Sequence, residues 1–175
     1  MGKLSHCLDC PTQAHYTATL CVLKYLKQSP ATGLFFATSS NVSPTGFSDA
    51  DWAVCLDTRR SVTGYCFYLG SSLISWKSKK QPTVARSSSE AEYHTLTLAV
   101  CEAQWISFIL ANLHLPVTKP IPLYCDSQSA LYIAAIPVFH ERTKHIEVDC
   151  HVVRERESHF WFIEVASDFH QGSSC

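Results

Sequence analysis

Three acidic residues stand in contexts where a carboxylate does chemistry: Asp49 in Phe47-Ser48-Asp49, Glu92 in Ala91-Glu92-Tyr93, and Asp126 in Tyr124-Cys125-Asp126-Ser127. A carboxylate aimed at a core-facing position is costly unless it is paired or binds a metal. Three of them converging on one sheet edge point to a Mg2+ or Mn2+ site, because hard divalent ions take oxygen ligands. Two such ions about 4 Å apart clamp the attacking and leaving oxygens of a phosphodiester. Each residue also has an ordinary reading: Asp49 as a turn former, Glu92 as a partner of the helix dipole, Asp126 as a helix N-cap. Their order and contexts together favour the shared site. Glu90, two residues before Glu92, competes with it for the middle position.

Other residues carry weaker chemistry. Cys7-x-x-Cys10 has metal-ligand spacing, but a zinc site needs a second pair and only His6 and His15 lie nearby. The nine cysteines show no framework spacing and read as mostly reduced core thiols. Lys77, Lys79, Lys80 and Arg86, with no acid between them, form a candidate phosphate-contact patch; the same run reads equally as a solvated loop. His140 and His145 are open to phosphate contact or to a structural role.

The elements that must hold the carboxylates follow from periodicity. Residues 11–29 read as a helix, with Tyr16, Leu20, Leu23 and Leu26 on a helical period and Pro30 as the break. Residues 46–76 read as a three-stranded meander, with strands over 47–55, 62–69 and 73–76 and a turn at Gly70-Ser71-Ser72. Ser87, Ser88 and Ser89 are cap candidates for a long helix, with Glu90 completing a capping box from Ser87. Its apolar stripe runs Leu96, Ala99, Ala103, Ile106, Leu110, Leu113, and Glu92 falls on that face, toward the sheet. A strand over 121–125 and helices over 127–135 and 142–156 complete the pattern. Three strands, helix, strand, helix is an α/β layered order with a mixed sheet.

Composition sets the outer bounds. A chain of 175 residues, 46% hydrophobic and 17% charged, suits one ordinary domain and excludes a disordered chain. The net charge of −1 gives no global basic excess, so any nucleic-acid surface must be local. No uninterrupted apolar run reaches the roughly 18 residues of a membrane span. Residues 1–13 lack the apolar stretch of a signal peptide, so an intracellular protein is expected.

The motifs resemble, in order, those of the ribonuclease H domain of Ty1/copia-type retrotransposon Pol polyproteins. The resemblance opens on Gly46-Phe47-Ser48-Asp49-Ala50-Asp51-Trp52-Ala53 and continues through SVTGYCFYLG at 61–70 and ISWKSKKQPTVA at 74–85. It runs on through SSSEAEY at 87–93, YCDSQSA at 124–130 and PVFHERTKH at 137–145. It implies a domain over 46–157, while residues 1–40, with Val22-Leu23-Lys24-Tyr25-Leu26-Lys27, are similar to the end of the reverse transcriptase connection. The implied fold is ribonuclease H-like, three-layered, with a mixed five-stranded sheet.

By this resemblance Asp49 and Asp126 are the first and third metal ligands. Glu92 or Glu90 is the second, with Ala91-Glu92-Tyr93 the better match. The implied reaction is two-metal hydrolysis of the RNA strand of an RNA–DNA hybrid with Mg2+ or Mn2+. The carboxylates hold metal rather than move protons, and the reverse transcriptase domain of the same polyprotein is the neighbour. The setting is a cytoplasmic particle or the nucleus. Three departures stand out. Val54 and Ile136 replace the usual Gly and Asn. Residues 158–175 form a divergent tail without the Leu-Ala-Asp motif that supplies the family's last acidic ligand; Asp149, Glu147 and Asp168 are not matched to it. The last strand and helix are therefore expected to be missing or altered, and the copy to be impaired, the alternative being an inactive remnant that at most binds nucleic acid.

Overall fold

The computed structural model describes residues 2–5, 7–30, 32–36 and 43–135. The chain divides into two compact units, Met1–Phe35 and Phe36–Cys175.

The first unit holds α1 (Gly2–Ser5) and α2 (Gln13–Gln28). Thr12 caps α2: its Oγ1 accepts from the His15 amide at 3.4 Å, and His15 Nδ1 accepts from the Thr12 amide at 3.1 Å. This is a capping box with histidine in the usual Glu/Gln place. The helix stops one residue before Ser29, ahead of Pro30, as the sequence pattern indicates. No residue of α2 is buried, and Tyr16, Leu20, Leu23 and Leu26 are exposed along it.

The second unit is built on a four-stranded sheet in the order β3-β2-β1-β4. Strands β1 (Pro44–Asp51), β2 (Val62–Leu69) and β3 (Ser72–Lys80) form an antiparallel meander. The chain then crosses through α3 (Ser88–Asn112) and returns as β4 (Leu123–Cys125), parallel to β1 with Ser48 opposite Cys125. A parallel return needs such a crossover, which places the helix against the sheet. Helix α4 (Gln128–Ala135) follows and packs on α3.

Three strands differ from expectation. β1 begins at Pro44 and ends at Asp51, not at 47–55, because residues 52–55 leave the ladder. There Ala53 takes a left-handed φ of 51° and its amide donates to Ser61 Oγ at 3.1 Å. β3 continues to Lys80, so the lysine run lies on a strand and not in a solvated loop. Strand alternation then sends Lys77 and Lys79 to one face and Lys80 to the other, which breaks up the expected patch. β4 is shorter than 121–125, though Ile121 is still buried.

Helix α3 starts where the serines indicate. Ser87 Oγ accepts from the Glu90 amide at 3.2 Å, and Glu90 Oε2 accepts from the Arg86 amide at 2.7 Å. Leu96, Ala99, Val100, Ala103, Ile106 and Leu110 form the stripe that packs on Tyr65, Phe67, Leu123 and Cys125. Burying a Leu or Phe of this kind contributes about 1.5–3 kcal/mol. Leu113, expected in the stripe, is exposed: the helix ends at Asn112, and His114 turns the chain away with φ 60°. α3 is long and apolar enough to cross a membrane by length and composition alone, yet its stripe packs on β1 and β2.

Two polar devices tie the layers together. Gln81 Nε2 donates to Thr63 Oγ1, to the Ala91 carbonyl and to Thr95 Oγ1, joining the end of β3 to the start of α3. Glu102 accepts from Ser75 Oγ at 2.6 Å and from Tyr65 Oη at 3.2 Å. Burial and the Glu102 carboxylate push the Tyr65 hydroxyl up to about 12.

The architecture is thus the α/β class with a mixed sheet that the resemblance implies. The expected fifth strand, the helix over 142–156 and the third layer fall on residues 136–175, outside the described residues.

Candidate metal centre

The site is assembled at the end of β1 and β4 by three local devices. Strand alternation in β1 buries Pro44, Gly46, Ser48 and Ala50 and turns Asp49 outward. Gly46 permits this packing: a Cβ there would collide with the Phe67 ring and stand 2.8 Å from Leu123 Cδ1. In β4, Leu123 and Cys125 are buried, and the strand gives out just before Asp126. Ser127, not Asp126, caps α4, its Oγ accepting from the Ala130 amide at 3.3 Å. The capping role considered for Asp126 is filled by its neighbour, which leaves its carboxylate for other use.

Glu92 lies in the second turn of α3, facing the sheet, and is 8% exposed. Its Oε1 accepts from the Ala50 amide at 3.2 Å, while its Oε2 is buried with no hydrogen-bond partner. Leaving such an atom unsatisfied costs about 1–3 kcal/mol, and more when it is charged. Burial raises the Glu92 carboxyl to about 7; the Ala50 hydrogen bond opposes this, and the charges of Asp49, Asp126 and Asp51 add to it. Asp49 is also raised, by burial and then by Asp126. Among the described residues, no ion pair with Lys or Arg offsets these carboxylates.

Glu92, Cys125 and Asp126 each offer a ligand atom within 4.8 Å of the others. Asp49 stands outside that close group, but its charge acts on Glu92, and the charge of Asp126 acts on it. Glu90 does not join them. It caps the start of α3 and lies 3.8 Å from His94 Nε2, so the two glutamates have separate roles. A cleft of about 460 Å³ opens beside the group, lined by Asp49, Tyr65, Lys77, Tyr124, Cys125 and Asp126. Lys77 Nζ sits 5.7 Å from the centre of the Tyr65 ring. Oxygen donors around a buried, unpaired carboxylate oxygen fit a hard divalent cation.

The chain is 42% identical over 156 residues to the retrovirus-related Pol polyprotein from transposon RE1 of Arabidopsis thaliana, an alignment covering 89% of this chain and 11% of that protein. It is 39% identical over 155 residues to the retrovirus-related Pol polyprotein from transposon TNT 1-94 of Nicotiana tabacum, covering 89% of this chain and 12% of that protein. The chain is homologous to a segment of the retrovirus-related Pol polyproteins of transposons. This Pol segment spans about a tenth of the length of the curated relatives it matches. No protein-family model matches it. Among solved structures, it overlaps loosely with the N-terminal RNase H domain of Rv2228c from Mycobacterium tuberculosis, at a TM-score of 0.49 and 13% identity, covering 70% of this chain and 82% of that one.

One member of the close group escaped the sequence reading of this Pol segment. In the sequence Cys125 stands only as part of the Asp126 motif, yet its side chain is 1% exposed and faces Glu92. The signal was present: in a strand that ends just before Asp126, position 125 points to the same side as Leu123, toward α3. Burial raises the Cys125 thiol.

Proposed function

We propose that this Pol segment hydrolyses the RNA strand of RNA–DNA hybrids in retrotransposon reverse transcription, with impaired activity, and with Mg2+ or Mn2+ held by Asp49, Glu92 and Asp126. The observation that carries the reading is the buried, unpartnered Glu92 Oε2 beside Asp126 and within the field of Asp49. The motif order and the Pol relatives supply the substrate class.

When bound, the cation supplies Lewis acidity toward a phosphodiester. The chain's own residues do the rest. The Ala50 amide fixes the Glu92 carboxylate through Oε1, so its other oxygen keeps one direction. β1 presents Asp49 into the cleft, and the end of β4 presents Asp126 beside it. Glu92 must shed its proton for the site to fill, which couples occupancy to pH. Lys77, stacked over Tyr65, brings a positive charge to the cleft wall where a phosphate would lie. Recognition of the hybrid then rests on groove shape and the 2′-hydroxyl, not on base sequence. The reverse transcriptase domain of the same polyprotein is the neighbour proposed for residues 1–40.

The test is cleavage of a hybrid labelled separately on each strand, beside RNA–RNA and DNA–DNA duplexes, with Mg2+ and with Mn2+. The expected result is cation-dependent cleavage of the RNA strand in the hybrid alone. Asp126→Asn should lower it by roughly a thousandfold, several kcal/mol of barrier at tenfold per 1.4 kcal/mol. Binding of the hybrid without cleavage would replace the reading by that of an inactive remnant, and cleavage unchanged in Asp126→Asn would remove the site.

A further inference from the structure

The close group contains a donor that a Mg2+ site does not need. Cys125 brings sulfur to within 4.8 Å of carboxylate oxygens from Glu92 and Asp126. Hard ions such as Mg2+ take oxygen, whereas thiolate is the ligand that selects softer ions. Zn2+ accepts both, at about 2.3 Å from sulfur and about 2.0–2.2 Å from oxygen, with its ligands tetrahedral. Ligands so arranged lie roughly 3.6 Å apart, so the group needs at most about 1 Å of closure. The cluster is more than a lone cysteine beside two acids. Glu92 is 8% exposed, and its Oε2 is buried without a hydrogen-bond partner. A buried carboxylate oxygen without a hydrogen-bond partner is stabilised when a cation takes that position.

We propose that Glu92, Cys125 and Asp126 form a mixed oxygen–sulfur site that takes one thiophilic divalent cation, Zn2+ or Cd2+, in competition with Mg2+ or Mn2+. The thiol proton leaves to solvent as the metal–sulfur bond forms, and a fourth position stays open to water or another oxygen ligand. Asp49 lies outside the close group, so the thiophilic ion uses two of the three proposed carboxylates and displaces the hard ion. Micromolar zinc or cadmium therefore acts as a stop on any chemistry at this site. The inference shares Glu92 and Asp126 with the proposed function but does not need the chain to cut nucleic acid.

The test is titration of the full chain with Cd2+, read by the ultraviolet cadmium–thiolate charge-transfer band and by equilibrium dialysis, with Mn2+ binding followed in parallel. The wild-type chain should show a thiolate band that Mn2+ in excess suppresses. Cys125→Ser should lose that band and bind Cd2+ at least about tenfold more weakly, since removing even a residue behind a ligand costs 10–100-fold. Glu92→Gln keeps every thiol and should also weaken Cd2+ about tenfold. The double variant Cys7→Ser/Cys10→Ser should keep the tight site. A band unchanged in Cys125→Ser, or lost in Cys7→Ser/Cys10→Ser, overturns the proposal. If Cys125→Ser does not fold, as read by far-ultraviolet circular dichroism, the Glu92→Gln arm decides, and unchanged Cd2+ affinity there overturns it. Mn2+ binding with no Cys125-dependent Cd2+ site would sink this inference alone. Cd2+ binding through Cys125 with no hybrid cleavage would support it while removing the proposed function.

Discussion

Glu92 should make the metal-free protein lose stability as pH rises through neutrality. Its carboxyl is raised from 4.5 to about 7 in the folded chain, chiefly by burial. The folded protein therefore holds this proton more tightly than the unfolded chain. The contribution to stability is complete below pH 4.5, where both states are protonated, and is lost as pH climbs through about 7. At about 1.36 kcal/mol per pH unit, the interval corresponds to ~3 kcal/mol. Exposed Asp49 and Asp126 lie beside the carboxylate and bring solvent close to it, so screening trims the expected loss to about 1–2 kcal/mol. For a chain of this length that is roughly 2–8 °C in Tm. The assay is urea unfolding of wild type and Glu92→Gln between pH 5 and pH 8 in the presence of a chelator. Glutamine cannot ionise, and its side-chain oxygen can still accept from the Ala50 amide, so the quantity of interest is the difference in slope between the two proteins. Wild type should lose about 1–2 kcal/mol more than the variant over that range, and Mg2+ should restore part of it at pH 8. Parallel pH profiles, or a wild type that gains stability relative to the variant with rising pH, would refute the reasoning.

Three further outcomes follow from the packing. Glu90→Ala should cost about 1 kcal/mol of stability by unmaking the start of α3, yet leave Mn2+ affinity unchanged; a loss of Mn2+ binding would move the ligand from Glu92 to Glu90. Gly46→Ala should destabilise by about 1–3 kcal/mol in thermal unfolding, because the added methyl meets Phe67 and Leu123 across a packed sheet; an unchanged Tm would show that these side chains give way freely. Gln81→Leu should cost about 1 kcal/mol in urea unfolding, since it removes the amide that ties the Ala91 carbonyl to Thr63 and Thr95 and leaves the two threonine hydroxyls only each other; a neutral result would show that water replaces the amide.

Much of this fold was legible because its signals are local. The serine cap and Glu90 mark the start of α3 without help from tertiary contacts, and the 3.6-residue stripe from Leu96 to Leu110 marks its buried face. β2 was bounded by its β-branched and aromatic residues over 62–69. Errors appeared where tertiary pairing overrides local pattern. β1 begins at Pro44 because β2 pairs with it as far as Leu69, opposite Pro44, a partner supplied by the neighbouring strand and not by local pattern. β3 extends to Lys80 because β2 offers it a full ladder, although its residues look like a loop. Leu113 continued the stripe by number but lies past the helix end. For the site, the motif order singled out Asp49, Glu92 and Asp126, while Cys125 emerged only when the parallel pairing of β4 with β1 placed it against Glu92.

The central claim is that these carboxylates form one cation site, and Mn2+ binding measured by electron paramagnetic resonance tests it most directly. Wild type at pH 8 should bind Mn2+ in a form that Mg2+ displaces, with affinity falling as pH drops below about 7, where Glu92 gains its proton. Asp126→Asn and Glu92→Gln should each weaken that binding by at least about tenfold, and Asp49→Asn should weaken it as well. Mn2+ affinity that is unchanged in both Asp126→Asn and Glu92→Gln, or that does not vary with pH, would contradict the account.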